Sequence, residues 1–414
     1  MRLVILLCAF SIACQLCTAQ EKAPAKPESK SGPKVVTVPA TIDHNRVIVD
    51  ADIPLPDGSS ERVHAWVDTG NPDFYLSRRL ATALGLKVSC DDRECSAPTP
   101  QALVLGGMTI SLTDITQARI PLRPVNAASV LARGMSAEIT IPSIVLRHYD
   151  VLIDFAEHKL TIGAPGSIHF LGSSGKVQID ANGLIEIPAQ IEKKKFSLAL
   201  DLGSSMSFLS VDTFEKLTTA HVDWPHMTGA VGPANVWGSD DEAKWKVMRV
   251  DRLQAGPLFL TDAAMASLPN EAAFIEKPSA ASNAGILGAN LLQNYRVGLD
   301  YARSTVYFDI GRMFNFPDFD VVGITLRPED DGRFTIIGVV DFEGKPAVDA
   351  LQAGDQLVAI NDIAVRGASM GQLWAMLGGN PGQERRLTVD RGGKEFTVVA
   401  QVRHFLGAEE SDPK

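Results

Sequence analysis

The chain has 414 residues, too many for one ordinary core, and this length predicts roughly two to four domains of 100 to 200 residues. With 45% hydrophobic and 21% charged residues, the composition is that of a soluble globular protein and excludes a disordered or multi-span membrane chain. The net charge of -10 argues against nucleic acid or an anionic membrane surface as the main partner.

The N-terminal stretch MRLVILLCAFSIACQLCTAQ combines one basic residue, a short apolar run and small residues near Ala19. This pattern predicts a secretory signal peptide over residues 1–19, and hence a secreted or periplasmic protein. A lipoprotein anchor at Cys14 or Cys17 is the alternative, although neither follows the Leu-small-small pattern that an anchor needs. Residues 20–36, rich in Pro, Lys, Ser and Glu, predict a disordered linker.

Three of the five cysteines lie in that leader, which leaves Cys90 and Cys95 in the mature chain. In an exported protein, two cysteines separated by four residues predict a small local disulfide loop. Two unpaired thiols are the alternative. Zinc is not expected, because no His or Cys pair completes a four-ligand set at the usual spacing. We therefore predict no metal and no other cofactor.

Short alternating runs, punctuated by Gly, Pro, Asp and Asn, begin near Val35 and predict a mainly antiparallel β fold. Within them VHAWVDTGNPDFYLS, residues 63–77, is echoed by FSLALDLGSSMSFLS, residues 196–210. Each copy follows a hairpin pattern and precedes a helix-like segment. Further along, RHYDVLIDFAEHKLTIG is echoed by QNYRVGLDYARSTVYFDIG. This internal repeat predicts two homologous β lobes, residues 37–165 and 176–313.

The tripeptide Asp68-Thr69-Gly70, placed after an apolar strand, resembles the active-site motif of pepsin-like (retropepsin-like) aspartic proteases. The second copy, around Asp201, extends the resemblance to both lobes. It implies a bilobal acid protease fold in which Asp68 and Asp201 meet, one ionised to take a proton from water and one protonated to polarise the scissile carbonyl. It also implies a set of residues that support this pair: Thr69, Gly70, Asn71, Gly203 and Ser204.

Two positions depart from the family pattern. Leu202 stands where the family has Thr or Ser, so Thr69 alone has the hydroxyl that bonds to the opposite loop. Pro142 stands where Gly is expected, whereas GILG at 285–288 matches in the second lobe. These departures favour the alternative of a catalytically inactive, peptide-binding protein. Two turn aspartates that cap their own loops would be the simplest interpretation, but the repetition argues against it.

The last part of the chain, residues 316–405, contains QAGDQLVAIND and VVGITL and resembles a PDZ domain of the bacterial, protease-associated type. The resemblance implies a groove that holds the C-terminus of a peptide or protein by strand addition. Its residues would be Gly323, Ile324, Leu326, Leu373 and Leu377. A packing domain with a closed groove is the alternative. Residues 406–414 are predicted to form a tail.

Together these features predict an exported aspartic endopeptidase that also carries a PDZ domain. Because both lobes lie on one chain, no dimer is required and we expect a monomer. The expected partners are a peptide or protein substrate and a C-terminal peptide ligand, with no nucleic acid and no membrane span after signal cleavage. A nucleotide-dependent enzyme has little support, because the sequence has no phosphate-binding loop.

Overall fold

The structure is a computed structural model that describes residues 34–92, 94–121, 137–268, 283–311, 319–329 and 331–407. The predicted signal peptide, nearly all of the predicted linker and most of the predicted tail lie outside these ranges. Within the described ranges, no helix combines the length and the apolar content that crossing a bilayer requires.

The N-lobe, defined here as residues 35–163, is built mainly from short antiparallel strands. Its strands are β1 (Val35–Asp43), β2 (Arg46–Pro54), β3 (Ser60–Asp68), β4 (Ser89–Cys90), β5 (Cys95–Pro98), β6 (Ala102–Leu105), β7 (Met108–Ser111), β8 (Gln117–Ile120), β9 (Ala137–Pro142), β10 (Asp150–Asp154) and β11 (Lys159–Gly163). Its helices are α1 (Arg78–Ala83) and α2 (Ser143–Leu146).

The hairpin of β2 and β3 positions the first aspartate. Its turn contains Gly58, whose φ of 86° lies in the left-handed region that glycine adopts without steric cost. In β3, Val63, Ala65 and Val67 belong to the buried lobe core, whereas His64 is exposed and Trp66 is buried outside that core cluster. The spacing of two residues packs one face of the hairpin on the lobe core and fixes its register.

The C-lobe, defined as residues 173–310, repeats this plan. Its strands are β12 (Ser173–Lys176), β13 (Gln178–Ile179), β14 (Ile185–Ile191), β15 (Lys194–Asp201), β16 (Phe208–Ser210), β17 (His226–Thr228), β18 (Lys246–Ala255), β19 (Leu258–Leu268), β20 (Asn283–Gly288), β21 (Tyr295–Asp300) and β22 (Thr305–Ile310), with helix α3 (Val211–Ala220). Short 3-10 helices occur at Gly232–Ala234, Asp240–Lys244, Ala289–Leu291 and Tyr301–Arg303.

The two lobes share one sheet. Strand β10 of the N-lobe pairs antiparallel with β21 of the C-lobe, with Leu152 opposite Gly298. The strand order β12-β22-β21-β10-β11-β1 places the two echoed distal segments on either side of this pairing. The join between lobes is therefore made by continuous backbone hydrogen bonds as well as by side-chain packing.

The third unit, residues 319–407, has its own sheet and one helix. Its strands are β23 (Asp320–Val321), β24 (Ile324–Pro328), β25 (Phe334–Val339), β26 (Asp341–Phe342), β27 (Lys345–Pro346), β28 (Gln356–Ile360), β29 (Ile363–Ala364), β30 (Glu384–Arg391), β31 (Lys394–Gln401) and β32 (Arg403–His404), and its helix is α4 (Met370–Leu377). The main sheet has the order β24-β25-β28-β30-β31, which places β24 at an edge.

A continuous apolar cluster joins the third unit to the C-lobe. Met206, Phe208 and Val247 of the C-lobe belong to the same buried cluster as Ile324 and Leu373 of the third unit. The third unit is thus packed directly on the lobe that carries the second aspartate. The prediction of a mainly β chain with two lobes and an additional C-terminal domain is confirmed.

Candidate active site

Each aspartate of the repeat ends a central strand of its lobe. Asp68 ends β3 and lies opposite Pro142, the last residue of the parallel strand β9. Asp201 ends β15 and lies opposite Gly288, the last residue of the parallel strand β20. The two loops that follow therefore leave their lobes from corresponding positions.

Gly70 and Gly203 allow the two loops to approach each other closely. A Cβ atom on Gly70 would overlap the carboxyl group of Asp201. A Cβ atom on Gly203 would lie 2.5 Å from Asp68 Oδ1 and 2.8 Å from Asp68 Cγ. Only a residue without a side chain leaves this space, so the glycine of each loop packs against the aspartate of the other. The structure brings Asp68 and Asp201 into one site.

Backbone N–H groups are directed at both carboxyl groups. Gly70 N donates to Asp68 Oδ1 at 3.0 Å. Gly203 N and Ser204 N donate to Asp201 Oδ1 at 2.8 and 3.0 Å. Hydrogen bonds of this kind favour the ionised form of a carboxyl group, and they offset part of the free-energy cost of burying its charge.

Burial raises the pKa of both carboxyl groups. Asp68 is only 4% exposed, and loss of hydration, followed by repulsion from Asp201, raises its pKa well above the usual value. Burial also raises the pKa of Asp201, to about 6. Because two like charges in contact disfavour double ionisation, the pair retains one proton over part of the acidic to neutral range, and that proton belongs to the pair.

Thr69 is the residue that ties the two loops together. Its Oγ1 accepts a hydrogen bond from Leu202 N at 2.8 Å and donates one to Leu200 O at 3.3 Å. Thr69 and Leu202 are both fully buried. The Leu202 side chain has no hydroxyl group with which to return these bonds, and it packs in the apolar core instead. Both hydrogen bonds between the two loops therefore use the side chain of Thr69 and none uses that of Leu202, and we call this arrangement the one-sided clasp.

Asn71 and Ser204 shape the turns after the two glycines. Asn71 Oδ1 accepts from Asp73 N at 2.9 Å, so its side-chain oxygen caps the local turn. Ser204 Oγ donates to Met206 O at 2.8 Å, which also keeps the bond within its own loop. Asn71 contributes to Asp68 through its backbone N–H, which helps to lower the pKa of that carboxyl group.

The residue opposite each aspartate at the end of the parallel strand is Gly288 in the C-lobe and Pro142 in the N-lobe, and only the C-lobe position requires glycine. A Cβ on Gly288 would lie 2.5 Å from the carbonyl carbon of Met206, so the C-lobe chain passes too close for any side chain. Pro142 occupies the matching position opposite Asp68 and ends its strand just before helix α2. A proline at a strand end removes no donor from the middle of the ladder.

A buried cation, Arg46, lies beside the site, and none of the sequence motifs had indicated it. Its side chain is 5% exposed, its guanidinium carbon lies 5.3 Å from the Trp66 ring centroid, and its Nη2 donates to Val236 O at 2.6 Å. The positive charge of Arg46 lowers the pKa of Asp68 and of Asp201 against the larger effect of burial. The hairpin register could have indicated Arg46. Ile48 of β2 lies opposite Trp66 of β3, and continuing this register by two residues places Arg46 opposite Asp68.

The residues predicted to form a peptide groove lie between β24 and α4 of the third unit. Ile324, Leu326, Leu373 and Leu377 are all fully buried. A Cβ on Gly323 would lie 2.5 Å from Phe405 Cζ. These side chains therefore line an occupied interior in this structure, and the groove is closed.

The two cysteines of the predicted mature chain and the groups that could hold a metal ion were the remaining predictions about sites. Cys90 and Cys95 are joined by a disulfide that closes the short hairpin of β4 and β5. Across the part of the chain that the structure describes, no group of three or more His, Cys, Asp or Glu side chains is placed to hold a metal ion.

The fold and site define a two-lobed β protein with a buried pair of carboxyl groups and an appended C-terminal domain. Residues 321–402 match the family model "PDZ domain", so this part of the chain is a PDZ domain. The chain is similar to the crystal structure of aspartic proteinase from Irpex lacteus, at 15% identity over 67% of this chain and 97% of that one, with a TM-score of 0.39. A superposition this loose assigns no activity. The comparison with curated proteins found no match.

Proposed function

We propose that the protein is an aspartic endopeptidase that hydrolyses peptide bonds with water activated by Asp68 and Asp201. One observation carries the proposal: the glycine of each loop lies against the aspartate of the other, so that two buried carboxyl groups share one site. Buried carboxyl groups without a basic partner for each are costly, and their pairing at the meeting point of two repeated loops indicates a chemical role.

The chemistry needs the pair to carry one proton. The ionised carboxylate removes a proton from water while the water oxygen attacks the peptide carbonyl carbon, and the protonated carboxyl group gives its proton to the carbonyl oxygen. In the resulting tetrahedral diol the C–N bond breaks, the nitrogen takes a proton from one carboxyl group, and a hydroxyl proton returns to the other. The products are a carboxylic acid and an amine, and the pair again holds one proton.

The surroundings of the pair suit this cycle. The backbone donors from Gly70, Gly203 and Ser204 stabilise the single negative charge, and Arg46 adds a buried positive charge. Fixed dipoles and charges of this kind need no reorganisation during the reaction. Thr69 holds the two loops at a constant separation through its bonds to Leu202 and Leu200.

We further propose that the PDZ domain binds peptide or protein C-termini at the edge of β24. Strand β24 lies at the edge of its sheet, so a peptide can add to it by strand addition once the closed groove opens, and the apolar residues now buried around it would then accept a hydrophobic terminal side chain. A substrate held there would have a raised local concentration at the pair of aspartates.

The test is digestion of a denatured protein, such as reduced and alkylated casein, between pH 3 and pH 8, with new C-termini identified by mass spectrometry. Hydrolysis by the unmodified chain, lost in both Asp68→Asn and Asp201→Asn and inhibited by a statine-containing peptide, is the expected result. Hydrolysis that survives either substitution rejects the pair as the catalyst.

A second candidate is a catalytically inactive protein that only binds extended peptides. The one-sided clasp favours it, because Leu202 gives the second loop no hydroxyl bond to the first. In that case no hydrolysis is detected at any pH, while a statine-containing peptide still binds and raises the temperature of unfolding.

We also propose that the chain is exported. The support is the Cys90–Cys95 disulfide together with the leader pattern of residues 1–19, since disulfides persist in oxidising compartments. Fractionation of expressing cells, with mass measurement of the recovered protein, tests this. Recovery from the cytosol at full length with free thiols contradicts it.

A further inference from the structure

The closed groove of the PDZ domain is filled by another part of the same chain. The connection between β17 and β18, residues 229–245, leaves the C-lobe and lies along β24 and β25. Its buried residues Val231, Ala234 and Val236 belong to the same apolar cluster as Ile324 and Leu326. We refer to residues 229–245 as the bridging segment.

The central contact is a pair of hydrogen bonds between Asn235 and Leu326. Leu326 N donates to Asn235 Oδ1 at 2.9 Å, and Asn235 Nδ2 donates to Leu326 O at 3.0 Å. Both residues are fully buried. One side-chain amide thus satisfies the N–H and the C=O of the same strand residue, which is what the backbone of an added strand would do.

The strand register shows that these bonds occupy the open edge of the sheet. Leu326 lies opposite Ile336 of β25, but Ile336 directs its backbone groups to the other side, donating to Asp355 O and accepting from Gly354 N, both at 2.8 Å. The backbone groups of Leu326 consequently face away from β25. That edge is where an extended peptide would add to β24.

Several further contacts hold the bridging segment against the PDZ domain. A Cβ on Gly238 would overlap Pro328, and a Cβ on Gly338 would lie 2.8 Å from the Cβ of Ala243. Asp240 forms an ion pair with Arg327 of β24. The segment is therefore seated along the strand over several residues, and Asn235 is one of many contacts.

Asn235 is itself held in position by a buried carboxyl group. Its Nδ2 donates to Glu242 Oε2 at 2.5 Å, and Glu242 Oε1 accepts from Trp237 N at 2.8 Å and from Ser239 N at 3.2 Å. Glu242 is fully buried. This network orients the amide before any partner is present, as a preorganised ligand requires.

The other side of the bridging segment contacts the surroundings of the aspartate pair. The carbonyl oxygen of Gly232 lies 3.1 Å from His44 Nε2. Ser205 Oγ donates to Pro233 O at 3.2 Å, and Arg46 Nη2 donates to Val236 O at 2.6 Å. Arg46 begins the β2–β3 hairpin that ends at Asp68, His44 lies in the turn just before that hairpin, and Ser205 follows the loop of Asp201. One short segment thus contacts the PDZ edge and the supports of both aspartates.

We propose that the bridging segment is a built-in ligand of the PDZ groove, that a peptide with a free hydrophobic C-terminus binds only by displacing it, and that this displacement alters the aspartate pair. The last step deepens the proposed protease function and rests on it. The binding competition does not depend on that function, because it concerns only the edge of β24 and the bridging segment.

Binding is measured by fluorescence anisotropy with labelled decapeptides that end in free Leu, Val or Phe, each compared with its C-terminal amide. The full chain should bind the free acids weakly. Asn235→Ala removes both bonds to Leu326 and should bind them about tenfold more tightly, because the competent open state becomes more populated. Asn290→Ala is the matched control, since Asn290 also makes two side-chain amide bonds in the C-lobe, to Ser207 and Ala264, and neither reaches the PDZ domain.

Equal affinity in the unmodified chain and Asn235→Ala overturns the proposal, as does the absence of free-acid binding in both. If Asn235→Ala does not unfold cooperatively, Glu242→Gln replaces it, because it removes an acceptor of Asn235 and leaves Asn235 intact. Tighter binding than in the unmodified chain then supports the competition, and unchanged binding rejects it.

The effect on the pair is measured as casein hydrolysis with and without a saturating free-acid peptide. A change of about threefold or more, absent with the amidated peptide and smaller in Asn235→Ala, whose open state is already more populated, supports the coupling. An unchanged rate overturns the coupling but leaves the competition standing. A chain that binds the peptides and hydrolyses nothing contradicts the proposed function, which separates the two failures.

Discussion

The two aspartate loops keep the same backbone bonds although few of their side chains agree. Ser143 N donates to Asn71 O at 3.0 Å in the N-lobe, and Ala289 N donates to Ser204 O at 2.9 Å in the C-lobe. The helix that follows each loop is capped in the same way, with Ser77 Oγ accepting from Leu80 N and Ser210 Oγ from Thr213 N. The repeated feature is therefore the path of the backbone around each carboxyl group.

The differences lie in what surrounds each loop. Asp68 has Arg46 opposite it in the extended hairpin register, whereas the same extension in the C-lobe places the apolar Leu184 opposite Asp201. Thr69 contributes both cross-lobe bonds and Leu202 contributes no side-chain bond. The backbone geometry around the pair is therefore symmetric, while its electrostatic surroundings are not.

Replacing either aspartate should have the largest effect, and it tests whether both loops supply a catalytic group. Asp68→Asn and Asp201→Asn should each lower kcat/KM for casein by about 1000-fold or more, because either change removes one of the two proton-transfer groups. Asp251→Asn, an exposed aspartate on β18, is the control and should leave the rate unchanged. A large loss in one variant with normal activity in the other would show that only one lobe supplies a catalytic group.

The pH dependence of the rate tests the protonation state of the pair. Burial raises the pKa of Asp201 to about 6, so below that pH the pair takes up its second proton and no carboxylate remains to activate water. We expect kcat/KM to approach a tenfold fall per pH unit below pH 6, and so to fall about 50-fold between pH 6 and pH 4. A plateau that extends down to pH 4 would contradict this assignment.

Arg46→Leu places a leucine opposite Asp68, as Leu184 lies opposite Asp201 in the C-lobe. The positive charge of Arg46 lowers the pKa of both aspartates, so its removal should move the acidic limb of the kcat/KM profile to higher pH, by about one unit. The rate at pH 5 would then be about tenfold lower than in the unmodified chain. Arg46→Lys keeps the charge and is expected to leave the limb in place; a shift in both variants would mean that packing, and not charge, sets it.

The sequence could predict the parts of this arrangement that are local or repeated. Asp68 and Asp201 follow apolar strands at matching places in the repeat, and Gly70 and Gly203 mark the close approach of two loops. The mainly β fold followed from the alternation of short runs, and the PDZ domain from a stretch whose turn and strand residues are specific to that family.

The contacts of the bridging segment could not be predicted in the same way. Asn235 and Leu326 are 91 residues apart, and no periodicity indicates that a side-chain amide will satisfy an edge strand. The fully buried Glu242, which interacts electrostatically with the buried Arg46, is also unusual, since carboxylates rarely lie inside. Its place depends on tertiary packing between the C-lobe and the PDZ domain.

The smallest expected effect concerns the contribution of the one-sided clasp to stability. Thr69→Val keeps the shape of the side chain but leaves Leu202 N without its acceptor in a buried place, which should lower the free energy of unfolding by about 1 to 3 kcal/mol. Thr69→Ser should retain most of the stability, and Thr161→Val, at an exposed hydroxyl pair, should change little. Urea unfolding measures all three variants, and equal midpoints for Thr69→Val and Thr161→Val would mean that the cross-lobe bonds of Thr69 contribute no stability.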